Sequence, residues 1–237
     1  MPTHTQHGKH AGELSLEQQR VLVQALLQPA VFAHPVGRIS LLETHISWVV
    51  LTGDYAYKLK KPVNFGFLDF STLEKRHFFC QEELRLNRCF APDLYLDVVT
   101  ISGAVEHPVL NGTGAPLEYA VRMRQFPQSG LLSSMAQRRE LLPAHIDEIA
   151  VLVAATHARI EVAAVASDYG LPDDVQGWVM ENFVHIRPAL GDERQRAQLE
   201  HLADWCQRAF EQLRPVLRCV ALRASYVNVT VTCTWAT

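Results

Sequence analysis

The stretch that decides the fold runs over residues 54–90 and reads DYAYKLKKPVNFGFLDFSTLEKRHFFCQEELRLNRCF. In its first part apolar and polar side chains alternate with a period of two, which is the repeat of a β-strand. Ala56, Lys58 and Lys60 therefore share one face of the predicted strand, and the residues between them share the other. The stretch thus predicts a strand that carries lysines, followed by a loop and a helix.

The predicted helix begins at Ser71, where Glu74 three residues later completes a capping box. One stripe of this helix, spaced i, i+4, i+7 and i+11, contains Phe79, Glu83, Leu86 and Phe90. A carboxylate in an apolar stripe is costly unless it meets a cation. Lys58 or Lys60 on the adjacent strand is the nearest candidate for that cation.

A strand lysine held by a helix glutamate is the arrangement with which kinases bind the α- and β-phosphates of ATP. The same residues also fit a solvated lysine cluster beside an ordinary amphipathic helix. A third interpretation is an unrelated α+β protein in which the lysines cluster by accident. The pattern in residues 54–90 leaves these alternatives open.

The composition is that of a globular protein with room for one large domain or two lobes. The chain has 237 residues, of which 48% are hydrophobic and 20% charged, and its net charge is −3. This charge gives no footprint for nucleic acid or for an anionic membrane. No apolar run is long enough to span a bilayer, and five cysteines without C-x-x-C spacing look like reduced thiols. We therefore expect a cytoplasmic protein.

Strand patterns flank the lysine strand on both sides. The β-branched run 47–51 ends at the turn Thr52-Gly53-Asp54, so it should pair with the lysine strand as a hairpin. Further strands are predicted over residues 39–42, 95–101 and 119–123. Four or five antiparallel strands, with one long helix between the third and the fourth, form an α+β lobe.

Two loops at this lobe are candidate ligand contacts. Residues 43–46 sit where a phosphate-covering loop would lie, but they contain no G-x-G-x-x-G, so contacts would come from backbone N–H groups and from Ser47 or Thr44. The segment 119–127 leaves the sheet and stops at a proline. It fits either a hinge whose backbone binds adenine or an edge strand with outward arginines.

Beyond Pro127 the pattern becomes helical. Pro143 starts a helix whose apolar stripe includes His157, which we interpret as a hydrogen-bonded core histidine. Residues 168–177 are predicted as a loop. Asp192 caps a long helix that Pro215 should interrupt. These helices predict a second, helical lobe.

Three blocks of this sequence resemble a known family. GDYAYKLKKPVNFGFLDFSTLEKR, EELRLNRCFAPDLYLDVV and YAVRMRQFP are similar to the kinase-like domain of bacterial bifunctional aminoglycoside phosphotransferase/ATP-binding proteins, over roughly residues 30–225. The resemblance implies a two-lobed protein-kinase-like fold with ATP between the lobes. It matches Lys58 to the phosphate-binding lysine and Glu83, or alternatively Glu82, to its helix partner.

The resemblance also implies where the rest of the nucleotide would lie. Residues 123–126 match the hinge, so the expected nucleotide contacts beyond Lys58 and Glu83 are Ala56, Ser47, Met123 and Gln125. The expected partners are ATP and a small-molecule acceptor that these residues do not identify. Magnesium is the cofactor of complete family members.

The sequence departs from the family in its catalytic residues. The family continues into a loop of the form H-G-D-L-H-x-G-N, a further metal-binding aspartate and a separate P-loop domain, yet these 237 residues contain no H-G-D and no G-x-x-x-x-G-K-[ST]. The magnesium ligands are therefore expected to be absent. We expect a truncated, inactive phosphotransferase fragment, and the alternative is a non-catalytic kinase-like binding or regulatory module.

The expected organisation has four parts. A polar tail and short helix occupy residues 1–29, the small lobe 30–126, a partial helical large lobe 127–225, and an out-of-frame tail 226–237. The tail YVNVTVTCTWAT is an uncharged run rich in Val and Thr. Reading each codon's third base with the next two bases permits Glu-Cys-His-Gly-Asp-Leu-His-Leu-Gly-Asn from Val227 onward. We hypothesise a frameshift near Ser225 or Tyr226, which sequencing the gene in the shifted frame would check.

Overall fold

The structure is a computed structural model that describes residues 13–66, 68–159 and 171–223, without the side chains of 219–223. These residues form two compact units, the first ending at Thr156 and the second beginning at His157. Most of the predicted polar tail and all of the hypothesised out-of-frame tail, residues 226–237, lie outside the described residues. None of the described helices is long and apolar enough to cross a membrane.

The first unit contains both helices and antiparallel strands. Its elements are α1 (Leu16–Ala25), β1 (Ser40–Glu43), β2 (Ser47–Leu51), β3 (Tyr55–Lys60), α2 (Leu73–Arg88), β4 (Tyr95–Ala104), β5 (His107–Leu110), β6 (Glu118–Arg124), α3 (Leu132–Gln137) and α4 (Pro143–His157), the last of which reaches the boundary between the units. The second unit contains α5 (Pro172–Ile186) and α6 (Glu193–Arg223). The protein is thus α+β, as expected.

The six strands form one antiparallel sheet in the order β1-β2-β3-β6-β4-β5. The predicted hairpin of β2 and β3 is confirmed, with Val49 opposite Lys58, and α2 follows the third strand as expected. The expectation of four or five strands missed β5. This short strand contains Pro108, which cannot donate to a ladder, and it lies at the sheet edge where proline is tolerated.

One face of the sheet packs against α1. Ser15 and Gln18 form the expected capping box at the start of this helix. The buried core between helix and sheet includes Leu22, Val23, Leu26, Trp48, Val50, Tyr57, Leu59, Val99, Ile101 and Ala120. Within it the Gln19 side chain donates to the carbonyl of Lys60 and accepts from the Trp48 indole, each at 2.8 Å. These two hydrogen bonds fix α1 to β2 and β3, the two strands of the lysine hairpin.

The opposite face packs against α2, whose start and buried stripe both differ from the prediction. Thr72, not Ser71, caps the helix by accepting from the Lys75 N–H at 3.3 Å. Ser71 is occupied elsewhere, since its hydroxyl donates to Asp69. The fully buried stripe is Arg76, Cys80, Glu83 and Leu84, whereas Phe79, Leu86 and Phe90 are half-buried. The prediction that Glu83 lies on the buried side of α2 is confirmed, but its buried neighbours are Arg76, Cys80 and Leu84 and not the three apolar residues of the predicted stripe.

Three expectations for the later helices are wrong. Residue 177 lies inside α5, because Pro172 at the first turn followed by Asp173 and Asp174 starts a helix. Helix α6 continues past Pro215, whose ring removes one hydrogen bond from a helix of 31 residues. His157 is exposed at the C-terminal end of α4, where a basic side chain meets the helix dipole, and is not a core histidine.

Candidate functional site

Two strand lysines converge on one helix carboxylate in the first unit. Lys58 Nζ donates to Glu83 Oε1 at 2.8 Å, and Lys60 Nζ donates to Glu83 Oε2 at 2.6 Å. All three residues are buried, with relative exposures of 8%, 4% and 4%. The solvated lysine cluster considered from the sequence is therefore wrong. Burying any one of these charges without an opposite charge beside it would be too costly.

The local sequence explains why the three groups meet. The period of two places Lys58 and Lys60 on the face of β3 that is covered by α2. Glu83 lies seven residues after Arg76 and three after Cys80, on the buried stripe of that helix. The two-residue spacing of the lysines on β3 and the helical spacing of the buried side of α2 thus place the Glu83 carboxylate between the two lysine side chains.

The two lysines set the ionisation state of Glu83. Burial alone would raise the pKa of Glu83, but the cations of Lys58 and Lys60 outweigh it and hold that pKa below its usual value. Glu83 is therefore ionised at neutral pH. Lys60 also lies 4.9 Å from the centre of the Phe70 ring, whose face favours a cation.

The neighbouring glutamate is not part of the cluster. Glu82 accepts from the Arg85 guanidinium at 3.0 and 2.7 Å on the exposed side of α2. Of the two glutamates that the sequence left as alternatives, Glu83 is the one that contacts Lys58.

Ser47 and Ala56 line the same face of the sheet beside the cluster. Ser47 stands opposite Lys60, and Ala56 stands opposite Met123. The Ser47 hydroxyl is buried and has no hydrogen-bond partner among the described residues, so it is a polar group without an internal role. Its position next to Lys60 places it where a bound anion could use it.

The loop of residues 43–46 is held by its own side chains. Thr44 Oγ1 accepts from the N–H groups of Ile46 and Ser47 at 3.4 and 3.0 Å. Lys61 donates to Glu43 at 2.6 Å and lies 4.2 Å from the centre of the Trp48 ring. Two of the amides expected to face phosphate are thus occupied within the loop.

The predicted hinge, residues 123–126, begins at the end of a strand in the interior of the sheet. Met123 lies in β6, between β3 and β4, so the edge-strand alternative is wrong. The Gln125 N–H donates to the Asp54 carbonyl at 2.9 Å, and Gln125 Oε1 accepts from the Gly53 N–H at 2.9 Å. Gly53 has a φ of 106°, which glycine adopts without strain. Gln125 thereby fastens the β2–β3 turn, and its own amide is already in use.

A second buried ion pair was missed from the sequence. Arg76 Nη2 and Glu118 Oε1 lie 2.6 Å apart and both side chains are fully buried, although the two groups are not aligned as a hydrogen bond. Arg76 also donates to the carbonyls of Phe70 and Ser71. Burial raises the pKa of Glu118 against the opposing effect of Arg76. Arg76 lies seven residues before Glu83 on α2, so the helical spacing that predicts a buried Glu83 also indicates a buried position at Arg76.

Comparison with known proteins finds relatives whose function is not described. The chain is 32% identical over 180 residues to the uncharacterized protein Rv2004c of Mycobacterium tuberculosis and, equally, to the uncharacterized protein Mb2027c of Mycobacterium bovis. Each match covers 73% of this chain and 34% of the relative, so the chain spans about a third of the length of these curated relatives. No family model matches the sequence. No solved structure matches it.

Proposed function

We propose that this chain contains the nucleotide-binding small lobe of a protein-kinase-like phosphotransferase of the aminoglycoside phosphotransferase type, followed by part of a helical large lobe. Lys58 and Lys60 would contact the phosphates of ATP, and Glu83 would hold both lysines in place. The observation that carries the proposal is the buried cluster of two strand lysines on one helix carboxylate. The proposal implies a cytoplasmic location, where ATP is present.

The cluster brings two lysine side chains to one place, where Glu83 fixes both of them. Here Glu83 accepts from both lysines, and an ammonium group carries three N–H donors. A phosphate oxygen of ATP would accept a charge-assisted hydrogen bond from Lys60. The buried Ser47 hydroxyl beside Lys60 could contribute a further hydrogen bond.

The proposal is one of binding and not of turnover by this chain. Phosphoryl transfer depends on positioning and on stabilising charge with metal ions and a base. The sequence lacks the H-G-D motif that would supply the base. Among the residues that the structure describes, no three His, Cys, Asp or Glu side chains converge to hold a metal ion. These residues therefore offer no preformed metal centre of three protein ligands, and we derive no step through magnesium. The acceptor remains a small molecule of unspecified class.

A second candidate is a kinase-like module that does not bind nucleotide. It is favoured by the hydrogen bonds that occupy the backbone donors at the expected contacts. Gln125 donates to Asp54, and Ile46 and Ser47 donate to Thr44. In this case the two lysines and Glu83 would only fasten α2 to the sheet.

Calorimetric titration with ATP separates these candidates. We expect the chain to bind ATP and Lys58→Met to bind at least about tenfold more weakly, since hydrogen bonds to charged groups contribute about 1.5–3 kcal/mol. Lys58→Met should remain folded, because Glu83 keeps its contact with Lys60. Lys75→Met is the matched control, since that side chain is exposed and pairs with Asp69. No binding by the folded wild type, or equal binding by Lys58→Met, would reject the proposal.

A further inference from the structure

A second pocket lies on the opposite face of the sheet from the lysine cluster. It has a volume of about 280 Å³ and is a partly open cleft lined by residues 31–34, by strands β3, β4, β5 and β6 and by Asn111. Tyr55 and Tyr57 reach it because they alternate with Lys58 along β3 and so point to the other face. The pocket is therefore separate from the proposed nucleotide site, and nothing in that function uses it.

Aromatic rings form one wall of this pocket. The His34 ring lies 4.7 Å from the Tyr55 ring in an edge arrangement and 6.2 Å from the Tyr57 ring in a nearly parallel one. The Arg122 guanidinium lies 5.5 Å from the centre of the Tyr55 ring. Flat rings at these spacings present faces and edges that favour another planar ring.

Hydrogen bonds hold this wall in one arrangement. His34 Nδ1 lies 2.8 Å from the Pro35 carbonyl, which can only accept, so Nδ1 carries the hydrogen in the neutral ring. His34 Nε2 then accepts from the Tyr57 hydroxyl at 3.0 Å. Burial raises the pKa of Tyr57, so its hydroxyl stays protonated at neutral pH. The wall is thus pre-organised, which reduces the entropy lost on binding.

The polar groups at the pocket are mainly donors without net charge. Arg122 donates from Nε and Nη2 to Asp97 at 2.9 and 2.6 Å, so this pair is neutral as a whole. Asn111 Oδ1 accepts from the Thr100 N–H at 3.3 Å. The exposed Asn111 side chain adds an amide NH₂ donor to the pocket lining. A ligand in the pocket therefore meets donors, and the charge of Arg122 is already paired with Asp97 on β4.

We propose that this pocket binds a small, neutral aromatic molecule of one or two rings whose carbonyl or ring nitrogen accepts a hydrogen bond from Asn111. Aromatic carboxamides and single heteroaromatic bases have this chemistry. The volume of about 280 Å³ lies just below the usual range for ligand pockets, about 300–1,000 Å³, so it suits a small ligand and excludes a complete nucleoside triphosphate. The aromatic wall selects the ring, and the Arg122–Asp97 pair selects the uncharged ligand.

Ligand-observed NMR titration with three matched probes tests this inference. Benzamide has the ring and the acceptor, cyclohexanecarboxamide has the acceptor without aromaticity, and benzoate replaces the amide with a charge. We expect benzamide to bind, and both other probes to bind several-fold more weakly. Absence of benzamide binding, or equal binding of cyclohexanecarboxamide or benzoate, would overturn the proposal.

Two variants locate the binding. Asn111→Gly removes the donor and tolerates the φ of 54° that Asn111 adopts, so it should stay folded and bind benzamide about three- to tenfold more weakly. Tyr55→Ala removes part of the aromatic wall and should weaken benzamide binding as well. Lys75→Met, an exposed residue of α2, is the control and should bind as the wild type does. Unchanged affinity in Asn111→Gly would place benzamide elsewhere and contradict the assignment.

Discussion

Lys60 Nζ and Glu83 Oε2 lie 2.6 Å apart in the interior of the first unit, and this contact joins the end of β3 to the middle of α2. Glu83 uses its other oxygen for Lys58 at 2.8 Å. Because one carboxylate serves two lysines, the removal of either lysine leaves an ion pair, whereas the removal of the carboxylate leaves two buried cations. The stability of the site is therefore expected to respond very differently to changes in these three residues.

Glu83→Gln should destabilise the protein by about 3 kcal/mol, because breaking a buried ion pair leaves uncompensated charge. Glu82→Gln is the matched control one residue away. It removes only an exposed contact with Arg85 and should cost no more than about 1 kcal/mol. Urea unfolding followed by circular dichroism measures both changes. Equal losses in the two variants would show that the buried cluster does not stabilise the contact of α2 with the sheet.

The stability difference between wild type and Glu83→Gln should depend on pH. The pKa of Glu83 is lowered in the folded protein. Burial raises this pKa, but the cations of Lys58 and Lys60 lower it by a larger amount. A carboxyl with a depressed folded pKa contributes stability that is present above its unfolded value, here 4.5, and lost as the pH falls through the folded value. Glu118, whose folded pKa is raised, acts in the opposite direction but is common to both proteins. Urea unfolding at a series of pH values should therefore show that the difference in unfolding free energy between wild type and Glu83→Gln becomes smaller in acid. A difference that grows in acid would contradict the lowered pKa of Glu83.

Cys80 in α2 and Cys89, which caps the C-terminal end of that helix, should differ in reactivity. Burial raises the pKa of the Cys80 thiol to about 12, whereas the Cys89 thiol is exposed near the end of the helix. Iodoacetamide should therefore modify Cys89 in the native protein and Cys80 only after denaturation, as read by peptide mass spectrometry. Cys80 modified as fast as Cys89 under native conditions would mean that α2 does not stay packed on the sheet.

The second unit should promote self-association. Trp178 on α5 and Trp205 on α6 are 62% and 57% exposed, and exposed apolar side chains of this size mark surfaces that become covered. We expect oligomers or aggregates in size-exclusion chromatography, and less of them in Trp205→Arg. Val21→Arg, at an exposed apolar position on α1, is the control and should change nothing. A wild type that elutes as a clean monomer would contradict this expectation.

The sequence was sufficient for elements whose signal is local. The hairpin of β2 and β3 and the lysine face of β3 follow from a period of two and one glycine turn. The position of Glu83 in a buried stripe followed from helical spacing. The cap of α2 was wrong by one residue because adjacent Ser71 and Thr72 are both capping residues, and only the position of Asp69 decides between them.

Contacts that depend on strand order could not be predicted. The sheet inserts β6 between β3 and β4, so that Glu118 lies within reach of Arg76 and Gln125 within reach of Gly53. Nothing in the spacing along the chain indicates this order. The neutral Arg122–Asp97 pair beside the aromatic pocket is a contact between β6 and β4 and was missed for the same reason.

The most direct test of the central claim, that Lys58 and Lys60 face the phosphates of ATP, is labelling with an acyl phosphate of ATP. Such a reagent transfers its acyl group to a lysine amine held beside the phosphates, and peptide mass spectrometry identifies the lysine. We expect Lys58 or Lys60 to be acylated and excess ATP to suppress this labelling, while any labelling of the exposed Lys75 is insensitive to ATP. Labelling confined to Lys75, or labelling of Lys58 and Lys60 that ATP does not suppress, would contradict the claim.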